Sequence, residues 1–356
     1  MIAEAAIKPA RKLGTVSVKT VTLAHGGGGK AMKDLIDDVF ISVFDDGESE
    51  VLEDQARFDL AALARAGDRL AFTTDAYVVN PLFFPGGDIG KLAVCGTVND
   101  LAVGGARPLY LSCAAVIEEG TSVALLRQIA ASMAEAAKAA GVAIVTGDTK
   151  VVEKGACDGV FLTTTGIGVI PVGIELGIDR IAIGDMVLVN GLLGDHGAAI
   201  LAARGDLALE TSIESDCAAL HELIAMLLQH APGTRCIRDA TRGGIATVLN
   251  EMAEASALAI EIDESSTPLR PEVRGFCEIL GLDPLYLANE GKLVVVVPPA
   301  EAEAALAAMR SHPLGRDAAI IGKTTAGRAG RVTMQTAFGG QRIVDMLVGE
   351  QLPRIC

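Results

Sequence analysis

Lys91-Leu-Ala-Val-Cys-Gly-Thr-Val-Asn-Asp-Leu-Ala-Val-Gly-Gly-Ala106 is the stretch on which the reading of this chain turns. Small and apolar residues recur in it at helical spacing, which predicts a closely packed helix. Asn99 and Asp100 interrupt that run, and polar groups inside a tightly packed Gly/Ala helix need a partner. A magnesium–phosphate cluster would satisfy Asp100, and so would a buried hydrogen bond.

The flanking segments place this helix in α/β layers. Gly67-Asp68-Arg69 reads as a turn, and Leu70-Ala71-Phe72-Thr73-Thr74-Asp75 as a buried strand ending on an aspartate. A carboxylate fixed at a strand end is well placed for a metal. Downstream, Tyr110 to Ile117 predicts a strand and Ser122 to Ala140 an Ala-rich helix. Val142 to Val145 predicts a short strand opening onto Gly147-Asp148-Thr149-Lys150. Asp148 and Lys150 on such a corner bind cation and phosphate together, or form a surface ion pair. Phe161 to Ile170 closes the first half as a strand.

The second half restarts at Gly184-Asp185, with a strand from Met186 to Asn190 and a helix from about Ala198. Asp239 stands before a Gly-Gly turn in Cys236–Ile245, loosely echoing Asn99-Asp100 and its glycines. Glu290 precedes the apolar strand Leu293 to Val297, followed by a helix from Ala300 to about Met309 and strands near Ala319 and Val332. The division expected is a loose leader over 1–22, α/β domains over 23–172 and 173–344, and a mobile tail over 345–356.

His25-Gly-Gly-Gly-Gly-Lys30 is not a Walker A loop, because the Gly-x4-Gly-Lys-Ser/Thr spacing fails and Ala31 follows the lysine. Its glycines are either a flap over phosphates with Lys30 as a charge clamp or a flexible linker. The acidic loop Asp45 to Glu50 leads through Val51–Ala56, which includes Asp54, towards the first strand.

Composition limits the function. Half of the 356 residues are apolar, 40 are Gly, and there is no Trp, which suits a core of small aliphatic side chains between α/β layers. A net charge of −15 argues against a nucleic-acid or anionic-membrane surface. Seven cysteines form no C-x-x-C pair and leave an odd one, so neither a disulfide framework nor a zinc site is expected. No apolar run reaches membrane-span length and no secretory signal stands at the start, so a reducing cytoplasm is expected. The last residue, Cys356, is too close to the end for prenylation, which needs a cysteine four from the terminus. Its thiol reaches as far as the tail does. The adjacent α-carboxylate raises its pKa and Arg354 lowers it.

The sequence resembles the HypE family of NiFe-hydrogenase maturation factors, in the PurM-like ATP-binding superfamily. The resemblance is carried in order by HGGGGK (25–30), TTDAYVV (73–79), GTVNDLAVGGARP (96–108), GDTKVV (147–152), GLLGDHG (191–197), RDATRGGI (238–245), NEGKL (289–293) and the terminal PRIC. It implies a two-domain PurM-like α/β fold, with the N-terminal half contributing a sheet to a homodimer and the C-terminal half covering a nucleotide cleft. It implies ATP-dependent dehydration of a carbamoyl group on Cys356 to a thiocyanate, the source of the hydrogenase's cyanide ligands. Asp54, Asp75, Asp100 and Asp239 match aspartates that hold Mg²⁺–ATP, with Lys30, Asn99 and Asp148 on the nucleotide. Lys150 and Glu290 match the catalytic pair, Glu290 as the base and His196 as the next candidate. The implied partners are the carbamoyltransferase HypF as donor and a HypC–HypD complex as acceptor. Selenophosphate-synthetase-like and thiamine-phosphate-kinase-like enzymes share the aspartates. A non-enzymatic thiol carrier would need only the tail.

Overall fold

The computed structural model describes residues 13–44, 55–205, 212–347, 349 and 354–356. The acidic loop 45–50 and Asp54 lie outside these residues.

The chain opens with a short 3₁₀ turn (Leu23–Gly26), then α1 (Lys30–Leu35), a π turn (Ile36–Ile41) and α2 (Ser42–Phe44). The rest of the first half comprises α3 (Leu60–Ala66), β1 (Arg69–Tyr77), β2 (Phe83–Phe84), β3 (Gly87–Asp88), α4 (Ile89–Val103), β4 (Arg107–Glu118), α5 (Val123–Ala139), β5 (Ala143–Val152) and β6 (Val160–Ile170). The second half runs β7 (Met186–Val189), α6 (Asp195–Ala203), α7 (His221–His230), β8 (Cys236–Asp239), α8 (Gly244–Ser256), β9 (Ala259–Asp263) and α9 (Pro271–Leu280). It closes with β10 (Leu293–Val297), α10 (Ala302–Ser311), β11 (Ala319–Thr325), β12 (Val332–Gln335) and β13 (Gln341–Val344).

The first sheet has strand order β1-β6-β4-β5. Its parallel pair, β4 and β5, is joined through α5, as a parallel pair requires. Along α5, Leu126, Ile129, Ala130, Met133 and Ala137 are buried at helical spacing. Nearly all of α4 is buried, which explains its small residues. At its start, Asp88 caps the helix, accepting from the N–H groups of Gly90 (2.7 Å) and Lys91 (3.2 Å).

Side chains alternate across this sheet. One face packs on α4 and carries Thr73, Asp75 and Tyr77 of β1; the other carries Leu70 and Phe72, 59% and 72% exposed. The strand expected to be buried and to end at Asp75 is therefore open on one face and runs on to Tyr77. β5 likewise continues through Gly147–Lys150 instead of ending before them. The leader is corrected over its described part. Val16 and Val21 are buried, Val21 exchanges backbone hydrogen bonds with Gly120 and Thr121 (2.8 Å each), and Val16 N–H donates to Asp38 at 2.7 Å.

The second sheet has order β13-β12-β9-β11-β7-β10-β8. Every residue of β10 is buried, as its unbroken Leu-Val-Val-Val-Val run predicts for a strand covered on both faces. α8 packs on one side of this sheet and α7 with α10 on the other. Ala102 of α4 joins the latter core, so the helix that opened the sequence argument lies between the halves.

Candidate active site

The last three residues, Arg354 to Cys356, are docked. Val78 N–H donates to the Cys356 carbonyl oxygen at 3.2 Å and Asn80 N–H to the Arg354 carbonyl at 3.3 Å. This is an antiparallel addition to the backbone that continues β1. Arg204 donates to the Arg354 carbonyl at 2.9 Å, and Arg354 itself pairs with Asp158 and donates to the Val78 carbonyl. Arg354 takes a positive φ of 56°, which turns the last two residues inward. Ile355 and Cys356 are buried, the latter 8% exposed. Burial pushes the Cys356 thiol far above its usual range, with the Glu290 carboxyl adding to the effect and Arg242 opposing it.

Glu290 faces this thiol from the loop before β10. The loop is fastened by Asp216, which accepts from the N–H groups of Glu290 (3.0 Å) and Gly291 (3.2 Å) and from Lys292 Nζ (2.9 Å). A side chain at Gly291 would lie 2.0 Å from the Asp216 carbonyl oxygen, so glycine is required there. Glu290 is 3% exposed and its Oε1 has no partner. Burial first, then the charges of Asp216, Asp239 and Asp75, raise its pKa well above the carboxylate range, against a smaller opposing effect of Arg242.

Three aspartates complete the cluster. Thr73 Oγ1 donates to Asp100 at 3.0 Å, and Arg242 stands 3.8 Å from Asp75. Burial, then Asp239, raise Asp100 to about 6. Asp239, at the end of β8, is also raised, chiefly by burial. Asp75, Asp100, Asp239, Glu290 and Cys356 are thus brought together from β1, α4, β8, the β10 loop and the tail. Carboxylates that raise one another's pKa, with Arg242 and Arg238 only partly offsetting them, suit a divalent cation. No three His, Cys, Asp or Glu side chains among the described residues form a ready metal cage.

The remaining expected residues fall elsewhere. Asn99 is buried and spends its amide on the protein: Nδ2 donates to the Ala218 carbonyl at 3.0 Å and Oδ1 accepts from Leu220 N–H at 2.8 Å. These bonds fasten α4 to the second half. Lys150 pairs with Asp148 at 3.0 Å, both more than half exposed. Across the sheet, Asp75 opposes Thr164, Thr164 opposes Cys113, and Cys113 opposes Gly147. Gly147 is therefore about three strand spacings, roughly 14 Å, from Asp75, and Lys150, three residues further along β5, is roughly 17 Å away and on the opposite face. The glycine flap packs at the same far edge, where a side chain on Gly26 would meet Val151. Lys30 pairs with Asp34 on its own helix. Within one protomer, Lys30, Asp148 and Lys150 do not meet Cys356.

Sequence reasoning missed Arg242, Asp216 and the tail's docking partners. Arg242 was legible, three residues after Asp239 in a stretch already marked. Asp216 has no local signal, because it acts on backbone 74 residues away.

Residues 53–170 match the AIR synthase related protein N-terminal domain, and residues 182–335 its C-terminal domain. A carbamoyl dehydratase HypE of Rhodobacter capsulatus is 68% identical over 94% of this chain and 98% of its own length. The crystal structure of a hydrogenase maturation protein HypE in complex with ATP is 49% identical, with a TM-score of 0.89 over 95% of this chain and all of that one. A HypE chain from a HypE–HypF complex is 51% identical, with a TM-score of 0.76 over 78% of this chain and 90% of that one. With this fold, and with acidic groups gathered around a docked terminal thiol, the chain belongs to the HypE family of carbamoyl dehydratases.

Proposed function

We propose that this chain uses ATP to dehydrate a carbamoyl group carried on Cys356, leaving a thiocyanate that supplies cyanide to the iron of a NiFe-hydrogenase. The observation that carries this reading is the terminal thiol docked against a buried glutamate with a free oxygen, beside clustered aspartates.

An amide oxygen is a poor leaving group. Transfer of the γ-phosphoryl group of ATP to the carbamoyl oxygen, with loss of one N–H proton, gives an S-bound C(–OPO₃)=NH unit and ADP. Loss of the second N–H proton, with cleavage of the C–O bond, gives S–C≡N and inorganic phosphate, so the oxygen removed leaves on phosphate. Glu290 accepts a proton here. Its high proton affinity makes it a competent base once ionised, and its Oε1 has no hydrogen-bond partner to displace. Asp75, Asp100 and Asp239 would hold Mg²⁺ on the nucleotide phosphates, and the bound ion would neutralise charge as the phosphoryl group transfers. The same ion would also lower the pKa of Glu290, which the charges of Asp239 and Asp75 raise.

The docked site also excludes water, which would otherwise consume the activated intermediate. A docked Cys356 is neutral and enclosed, so it is a poor nucleophile for loading. It must leave the site to take a carbamoyl group from HypF and to deliver cyanide to a HypC–HypD complex in the cytoplasm. Gly349, exposed with a φ of +90°, supplies a hinge. Lys30 and Lys150 enter the reading through a homodimer. The open sheet face bearing Leu70 and Phe72 is the apolar surface for pairing, and a second copy would bring its own far edge and flap to this site.

The test is the intact mass of the chain loaded with a carbamoyl group, before and after Mg²⁺–ATP. Loss of 18 Da, the mass of water, is expected for the native chain, with Glu290→Gln keeping ATP binding but remaining at the loaded mass. A native chain that hydrolyses ATP without that loss would exclude the dehydration.

A further inference from the structure

His196 has no exposed surface, and both its ring nitrogens are committed. Nε2 lies 2.8 Å from the carbonyl oxygen of Ile355, and Nδ1 lies 2.8 Å from Ser215 Oγ. A carbonyl can only accept, so Nε2 carries the hydrogen. Burial depresses the imidazole's pKa and keeps the ring neutral, so Nδ1 is the acceptor and the Ser215 hydroxyl donates to it. Ser215 Oγ in turn accepts from Cys217 N–H at 3.1 Å. Donation therefore runs one way, from the Cys217 amide through Ser215 and His196 to the carbonyl of the residue before Cys356.

The surroundings hold this chain in place. Phe84 sets its ring edge against the imidazole at 5.5 Å and 86°. Ser215 N–H donates to the Pro85 carbonyl at 2.8 Å. A side chain on Gly86, whose φ is +88°, would lie 2.6 Å from the Ser215 carbonyl oxygen. Val78 and Asn80 grip the tail through backbone alone. His196 adds a side-chain donor of fixed tautomer from the second half of the chain.

We infer that His196 and Ser215 are positioning residues for the reaction, holding the Ile355 carbonyl so that the group on Cys356 faces Glu290, and that His196 carries no proton in the chemistry. The inference rests on the carbamoyl-dehydration reading for its consequence, but the docking it describes is measured without that reaction. The rate at which iodoacetamide labels Cys356, followed by mass mapping of the C-terminal peptide, reports undocking in the unloaded full-length chain.

His196→Ala should label on the order of tenfold faster, as expected when one buried hydrogen bond is lost. His196→Gln, which can present an amide N–H towards the same carbonyl, should label close to the native rate. Ser215→Ala, which frees the ring to carry its hydrogen on Nδ1, should label several-fold faster. Thiocyanate formation from loaded chain should fall with His196→Ala and recover with His196→Gln. Labelling of both His196→Ala and Ser215→Ala at the native rate would overturn the positioning role. Native labelling of His196→Gln with no thiocyanate formed would overturn the claim that His196 carries no proton. If His196→Ala does not fold, Ser215→Ala and His196→Gln carry the same decisions. If the native chain forms no thiocyanate, the dehydration reading fails while the labelling result still decides the docking role.

Discussion

Replacing Asn99 by alanine separates two readings of the polar pair in α4. As a nucleotide ligand, Asn99 would matter to ATP and little to the fold. The structure gives it buried hydrogen bonds to the Ala218 carbonyl and the Leu220 N–H across 119 and 121 residues of sequence, with a longer contact to the Glu290 carbonyl at 3.5 Å. Asn99→Ala strands one buried donor and one buried acceptor. At about 1–3 kcal/mol for each group left without a partner, the loss is about 2–4 kcal/mol once local relaxation is allowed. For a domain of this size that lowers Tm by roughly 5–10 °C. Thermal unfolding by circular dichroism measures the shift, and hydrogen exchange of the Leu220 amide locates it. Asn99→Asp should be no better, because it turns a carboxylate oxygen towards the Ala218 carbonyl beside Asp100. An Asn99→Ala chain that melts within a degree or two of native, keeps Leu220 protected and loses ATP binding would refute the fastening role and restore the ligand role.

Asp100 should make the empty chain pH-sensitive. Its pKa of about 6 in the folded chain exceeds the ordinary value of about 3.9, so between pH 4 and 6 the folded state holds a proton that the unfolded state releases. Its contribution to stability therefore falls as pH rises through that window and stays lower above it. Asp100→Asn should raise Tm at pH 7.5 without nucleotide, change it little near pH 4, and abolish turnover; an equal change in Tm at both pH values would contradict the assignment. Phe72→Lys, on the open sheet face, should shift the chain from dimer to monomer in sedimentation and lower turnover while leaving Tm within a few degrees. An unchanged sedimentation coefficient would remove that face as the dimer surface.

The fold was legible where local pattern and burial agree. The Gly/Ala run of α4, the Ala-rich α5 and the valine-rich β10 were placed within two or three residues, because each buries most of its surface and its composition says so. β1 misled because Leu70, Phe72 and Ala76 alternate with Ala71, Thr73 and Asp75, and an apolar open face looks like a buried one. β5 was cut short at Gly147 because Gly-Asp is a turn signal, yet the β4 ladder carries the strand through to Val152. α7 and α9 were not predicted, although both show buried residues at helical spacing.

The site was half legible, and the missing half has a physical cause. Asp75, Asp100, Asp239 and Glu290 each stand in or beside a buried element, so a charge there is anomalous and draws notice. What holds them in register is backbone contact between distant segments: Asp216 on the Glu290 loop, Asn99 on the Ala218–Leu220 turn, and Val78 on the chain end. Such contacts leave no periodicity. The tail is the extreme case. As a sequence it is an arm too short to form a core of its own. Its last residues dock because Val78 and Asn80 offer backbone N–H groups beyond the end of β1, and because Ile355 and Cys356 join the core of the first half. The same contacts make the docked thiol neutral and unreactive. On the proposed reaction, reactivity and position are thus opposed: the cysteine is a nucleophile outside the docked site, and its cargo is dehydrated inside it. A tail held by a few backbone hydrogen bonds, the side chains of His196 and Arg204 and the Arg354–Asp158 pair is weak enough to leave and directional enough to return.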